Sequence, residues 1–244
     1  MRKDAPLITC FHLNIAARAA GESEPRKLID DLSMEVGRGS WNEVVGPSGA
    51  GKSLLFGILS LRLEADDGKL VLDGRNFHRL SRRGICELRR RFTSCAQEPV
   101  LLENRTVIEN LVLPFVVRRE EHKALPLCDE LLEEANVAHL RDVRVVNLSQ
   151  QERIIVGVLR AVAGEPQAIV VDDVLHCVEE GARLMLLRML QRSHLRGATV
   201  VLFGREQTAQ ARRGVVFHLE KGTIAEIEDN TSSHPRSPEA GHRV

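Results

Sequence analysis

The sequence predicts an α/β fold, a mostly parallel sheet flanked by helices, with a β-rich addition at its start and a helical addition in its middle. Three observations predict it. Short apolar, strand-like runs alternate with helical stretches from about residue 41 to residue 204. A glycine-rich turn, GPSGAGKS at 46–53, stands where one such strand ends and an apolar helix begins. A continuous apolar run, QAIVVDD at 167–173, reads as an interior strand of a parallel sheet, with two carboxylates at its end.

The elements follow in order. Two β-like runs, LITCFHLNI (7–15) and KLIDDLSMEV (27–36), are joined by the polar AAGESEP. The next strand ends at Val45, and a helix starts at about Lys52. GKLVLDGRNF (68–77) is a strand with a turn at Asp73-Gly74. SRRGICELRRRF is a basic helix whose arginines form a solvated face, and FTSCAQ is a strand ending at Gln97. Residues 104–146 read as mostly helical, with Leu131, Leu132, Ala135 and Leu140 at helical spacing. LSQQERIIVGVLRAV (148–162) opens as a capped helix, because Ser149 and Glu152 make the S-x-x-E box. A helix near 179–195, a strand at 198–204 and a strand pair closing at about 228 complete the fold. The polar tail, 229–244, holds two prolines and is expected to be disordered.

Composition narrows the function. A chain of 244 residues suits one domain with an inserted subdomain. Zero formal net charge and 3% aromatics with no Tyr leave no basic field and few stacking platforms, so no nucleic-acid partner is expected. The five cysteines are scattered without a C-x-x-C pair, which points to a reducing, cytoplasmic setting. No apolar run approaches the roughly 20 residues of a spanning helix, so any work at a membrane goes through a partner.

The chemistry is concentrated in residues 46–53. Gly46, Pro47, Ser48, Gly49, Ala50, Gly51, Lys52 and Ser53 fit G-x-x-x-x-G-K-[ST] in full. Glycines let backbone N–H groups turn inward around an anion, and the helix running on through Leu54 aims its positive end at the same place. Lys52 reaches the β- and γ-phosphates, and the Ser53 hydroxyl coordinates Mg²⁺. Asp172, at the end of its buried strand, supplies the carboxylate for the Mg²⁺ shell. Together they point to a P-loop NTPase core that takes ATP with Mg²⁺.

Further phrases then line up. VVGPSGAGKS, CAQEPVLLENRTVIENLVLP, LSQQE, LRAV and PQAIVVDD resemble the nucleotide-binding subunits of ABC transporters, over about residues 7–228. The middle phrase is most similar to the cell-division, lipoprotein-releasing and lipid-asymmetry branches. The resemblance implies a P-loop core with an antiparallel β-subdomain and a helical subdomain at about 98–150. It implies two subunits, as a homodimer or heterodimer, that sandwich ATP and drive an integral-membrane permease from its cytoplasmic face. By the same resemblance Gln97 senses Mg²⁺ and contacts the permease. Ser149, Gln150 and Gln151 form the signature turn that faces ATP on the other subunit.

The chain also departs from that pattern. Gln150 and Gln151 stand where the family has two glycines; an ungapped count keeps Gly157, Arg160, Ala161 and Asp172 in place. Two side chains there stand in the way of the close backbone approach that glycine permits, unless their amides donate instead. Asp173 replaces the catalytic glutamate, and displacing a catalytic group by about 1 Å costs up to about 10²-fold. Val174 follows it in place of Pro, and His176, Cys177, Val178 and Glu179 replace the usual S-A-L-D. Arg205 occupies the switch-histidine position and cannot shuttle a proton. Ala17 falls where an aromatic stacks on adenine, and His176 is expected to be a surface or interface histidine. Three functions fit: a transporter ATP-binding subunit with weak or absent hydrolysis, an active transporter ATPase using Asp173 and Arg205, or a different P-loop phosphotransferase.

Overall fold

The computed structural model describes residues 5–17 and 26–231. Strands β1 (Ile8–Ala17) and β2 (Arg26–Val36) pair antiparallel, with Ile8 opposite Val36. Strand β3 (Trp41–Val45) runs through the 46–51 loop into helix α1 (Lys52–Leu59). Strand β4 (Asp67–Leu72) returns to β1, and β5 (Arg75–Asn76) follows the Asp73-Gly74 turn, giving a four-stranded antiparallel sheet ordered β2-β1-β4-β5. Both turn residues hold positive φ, 50° and 75°, which the short Asp side chain and glycine tolerate.

Helix α2 (Arg82–Arg89) begins where the Ser81 hydroxyl accepts from the Gly84 N–H, and it leads into β6 (Phe92–Cys95). The stretch read as mostly helical is broken into α3 (Val107–Leu111), α4 (Leu113–Arg118) and α5 (Ala124–Glu134), with Val112 between the first two and a 3₁₀ turn, Glu121–Lys123, before the third. Pro114 explains one break, since it is tolerated only in a helix's first turn and α4 starts there. Helix α6 (Gln150–Ala163) then crosses to the main sheet.

That sheet is completed by β7 (Ala168–Asp172), β8 (Thr199–Gly204), β9 (Val215–Glu220) and β10 (Thr223–Asp229), with α7 (Glu180–Leu195) between β7 and β8. Its order is β10-β9-β3-β8-β7-β6, parallel from β9 to β6 with β10 antiparallel at the edge. Every residue of β3, β7 and β8 is buried, as interior parallel strands covered on both faces require. Strand alternation divides the core. Ile169 and Val171 pack with α6 and α7, whereas Val170 and Phe203 pack with Leu55 and Phe56 of α1.

This is the α/β core with an antiparallel addition that the sequence predicted. Strand β10 runs to Asp229, the first residue of the segment expected to be disordered; residues 232–244 of that segment lie outside the described residues. Among the described residues no helix is long and apolar enough to cross a membrane.

Candidate functional site

The ends of β6, β7 and β8 converge with the first turn of α1 on a cleft of about 420 Å³. Its walls are Ser48, Gly49, Gly51, Lys52, Ser53, Leu54, Gln97, Asp172, Asp173 and Arg205. The loop that opens it depends on glycine. A Cβ on Gly46 would sit 2.1 Å from the Leu219 carbonyl oxygen, and Gly49 and Gly51 hold φ of 80° and 104°. Such positive φ values turn successive N–H groups toward one side. Gly46, Pro47 and Ala50 shape this turn without lining the cleft.

Lys52 opens α1 and folds back, its ammonium donating to the Gly46 carbonyl at 2.6 Å and the Pro47 carbonyl at 2.8 Å. Burial lowers its pKa, with Asp173 and Asp172 pulling upward and Arg205 adding to the lowering. Burial raises the pKa of Asp172, and Asp173 raises it further, against the opposing pull of Lys52 and the Ser53 hydroxyl. Two adjacent carboxylates in one cleft thus depend on nearby cations.

Asp173 is the most constrained of the group. Its backbone is left-handed at φ 46°, and its side chain is only 9% exposed. The Gln97 amide donates to Asp173 Oδ2 at 3.3 Å, and Arg205 Nε approaches the same oxygen at 3.8 Å. His176 Nδ1 lies 2.7 Å from Oδ1, a close electrostatic contact without hydrogen-bond alignment, so Oδ1 is buried with no hydrogen-bond partner. Sequence reasoning expected His176 to be a surface or interface histidine. It is 38% exposed, but it also touches the proposed base, and the D-x-x-H spacing at a strand end was the available signal.

The residues fit a hard divalent cation. Ser53, Gln97 and Asp172 carry oxygen ligand atoms and line one cleft, and the carboxylate of Asp173 lines it with them. Ser149, Gln150 and Gln151 lie outside this cleft, in the capping box and first turn of α6. Ser149 accepts from the Glu152 N–H at 3.3 Å, and the Glu152 carboxylate accepts from the Ser149 N–H at 2.7 Å. Ala17 is exposed at the end of β1 and does not line the cleft.

Residues 29–176, more than half of the chain, match the ABC transporter family. The chain belongs to the ABC transporter family. It is similar to the methionine import ATP-binding protein MetN of Rhizobium meliloti, 29% identical over 211 residues, covering 85% of this chain and 59% of that protein. It is 31% identical over 219 residues to MetN 1 of Rhodococcus jostii, covering 87% of this chain and 64% of that one. The chain therefore spans about three fifths of the length of these curated relatives. Among solved structures, a dimeric bacterial ABC transporter cassette matches with TM-score 0.81 and 20% identity, covering 91% of this chain and 98% of the cassette. A bacterial Atm1-family ABC exporter with ATP bound matches with TM-score 0.73 and 19% identity, covering 93% of this chain and 39% of the exporter. These likenesses establish the ABC cassette fold, with its P-loop core.

Proposed function

We propose that this chain is the ATP-binding subunit of an ABC-type membrane transport complex that holds Mg·ATP and hydrolyses it slowly or not at all. One contrast within a single cleft carries the reading. The phosphate loop with Lys52, Ser53 and Asp172 is complete, while Asp173, one methylene shorter than glutamate, is engaged by Gln97, His176 and Arg205. The loop amides and Lys52 bind the phosphates. Ser53, Asp172 and Gln97 would hold Mg²⁺, which neutralises phosphate charge when bound. Asp173 stands where a base would orient water, but its carboxylate faces two basic side chains of its own subunit.

A second subunit would complete the site, as a homodimer or heterodimer. The permease would dock beside Gln97, where Val100 and Leu102 are 68% and 47% exposed, placing the chain at the cytoplasmic face of the membrane. Arg205 at the cleft wall favours a second reading, an active ATPase in which the guanidinium neutralises the γ-phosphate as an arginine finger does. Binding of Mg·ATP and steady-state phosphate release, each against Lys52→Ala, separate the two. Tight binding with phosphate release at the Lys52→Ala level supports the first reading, and fast release supports the second.

A further inference from the structure

Gln150 and Gln151 point back into their own subunit. Gln150 Nε2 donates to the Gln97 carbonyl oxygen at 3.2 Å, and Gln151 Oε1 accepts from the Glu179 N–H at 2.9 Å. The two bonds run in opposite senses, one spending an amide donor and its neighbour an amide acceptor. Each bond reaches a loop at the nucleotide cleft. Gln97 passes its own amide to Asp173, and Glu179 closes the segment that carries Asp173 and His176, immediately before α7.

The same face of α6 continues the contact. A Cβ on Gly157 would meet Pro99 Cβ at 2.7 Å and Cys95 Sγ at 2.9 Å, and Arg160 Nη2 donates to the Val100 carbonyl at 2.6 Å. Positions 150, 157 and 160 fall on one side of a helix with 3.6 residues per turn. A seam therefore runs along α6 against residues 95–100, and Gln150 is its outer end. Glycine at 150 and 151 offers no side-chain donor or acceptor; glutamine is an uncharged side chain that supplies both.

We propose that Gln150 and Gln151 are positioning residues, tying the first turn of α6 to the Gln97 loop and the 173–179 segment of their own chain instead of touching a nucleotide held by another subunit. The bonds stand independently of function; their effect on nucleotide affinity rests on the reading of the cleft as a Mg·ATP site.

A crossed set of substitutions tests this on the full chain. Gln151→Glu keeps the acceptor and Gln151→Lys removes it, whereas Gln150→Lys keeps the donor and Gln150→Glu removes it. All four changes fall in a partly or fully exposed helix turn. Hydrogen exchange at the Glu179 amide, read by NMR without nucleotide, is expected to quicken several-fold in Gln151→Lys and to stay near the wild-type rate in Gln151→Glu. Mg·ATP affinity is expected to fall several-fold in Gln150→Glu and Gln151→Lys, the sign of the charge change reversing between neighbouring positions. Tighter binding in both lysine variants and weaker binding in both glutamate variants would mean that the side chains face phosphate, which overturns the proposal. An unchanged Glu179 exchange rate in Gln151→Lys overturns it as well. If the wild type binds no Mg·ATP, the nucleotide reading fails, while the exchange rates still decide the Gln151 tie.

Discussion

His176 Nδ1 lies 2.7 Å from Asp173 Oδ1, while the Gln97 amide holds the other oxygen of the same carboxylate at 3.3 Å. Each carboxylate oxygen of Asp173 thus has a neighbour within its own subunit. Asp173→Glu adds a methylene but leaves Gln97, His176 and Arg205 beside the carboxylate, so lengthening the acid does not by itself place it on a water molecule. Phosphate release from Asp173→Glu is expected to rise by less than about 10²-fold, the lower end of what a well-placed general base contributes. A stopped assay with Lys52→Ala as background measures it, and turnover near about 10 s⁻¹ in the variant would contradict the expectation.

Lys52 makes charge-assisted bonds to the loop carbonyls, and in the Mg·ATP site proposed above the same ammonium would bind phosphate oxygens. Hydrogen bonds to charged groups contribute about 1.5–3 kcal/mol. Lys52→Ala is therefore expected to weaken Mg·ATP by roughly ten- to a hundredfold, a change isothermal titration calorimetry resolves.

Asp172 gives the cleft a pH dependence with a definite sign. Its pKa is raised, first by burial and then by Asp173, so it takes up a proton at higher pH than an ordinary carboxylate. Mg²⁺ needs the ionised form, so the Mg²⁺-dependent part of nucleotide binding is expected to weaken as pH falls through the raised value. Lys52 opposes the rise, so Lys52→Ala should move the midpoint of that loss to higher pH. Mg²⁺ titrations at a series of pH values locate both midpoints.

The phosphate loop and Asp172 were legible because local chemistry dictates them: glycines at positive φ, a lysine opening a helix, a carboxylate ending an apolar strand. The interior strands were legible for a related reason, since strands buried on both faces read as unbroken apolar runs. Most partners of Asp173 were not. His176 follows it by three residues, a spacing that was there to be read, but Gln97 and Arg205 reach it from different segments, and nothing in local spacing says that those loops will meet. Gln150 and Gln151 read as an obstruction or as substitute donors, because a missing glycine does not say where the new side chain goes. Where a long side chain goes instead is decided by tertiary contacts, here the Gln97 carbonyl and the Glu179 N–H. The 104–146 stretch was read as mostly helical because its spacing is helical; it is helical in three short pieces, which share one core cluster with α6.

Away from the cleft, Asp73 joins the antiparallel sheet to the core by pairing with both Arg38 and Arg91, the latter at 2.8 Å. Burial pushes its carboxyl upward, but the two guanidinium groups outweigh this and hold its pKa below the ordinary carboxylate value. A carboxyl whose folded pKa is depressed adds stability that is complete above its unfolded pKa and is lost as pH falls through the folded one. Asp73→Asn is expected to cost about 1–3 kcal/mol near neutral pH, between a surface pair and a fully buried one. Urea melts should show the difference from wild type shrinking once pH drops below about 4.

Two glycines in helices should respond to alanine with opposite signs. Gly157 lies in the buried seam, where a Cβ would meet Pro99 and Cys95 within 3 Å, and neither neighbour is a flexible chain end that swings aside. Overpacking of this kind costs about 1–3 kcal/mol, so Gly157→Ala should lower the melting temperature. It should also disturb the segment that carries Gln97, and with it nucleotide affinity. Gly181 sits in the first turn of α7 with nothing within 4 Å of its would-be Cβ. There alanine removes only backbone freedom from the unfolded chain, and a gain of about 0.4–1 kcal/mol is expected. Thermal melts of the two variants side by side separate packing at the seam from helix propensity, because propensity alone would stabilise both.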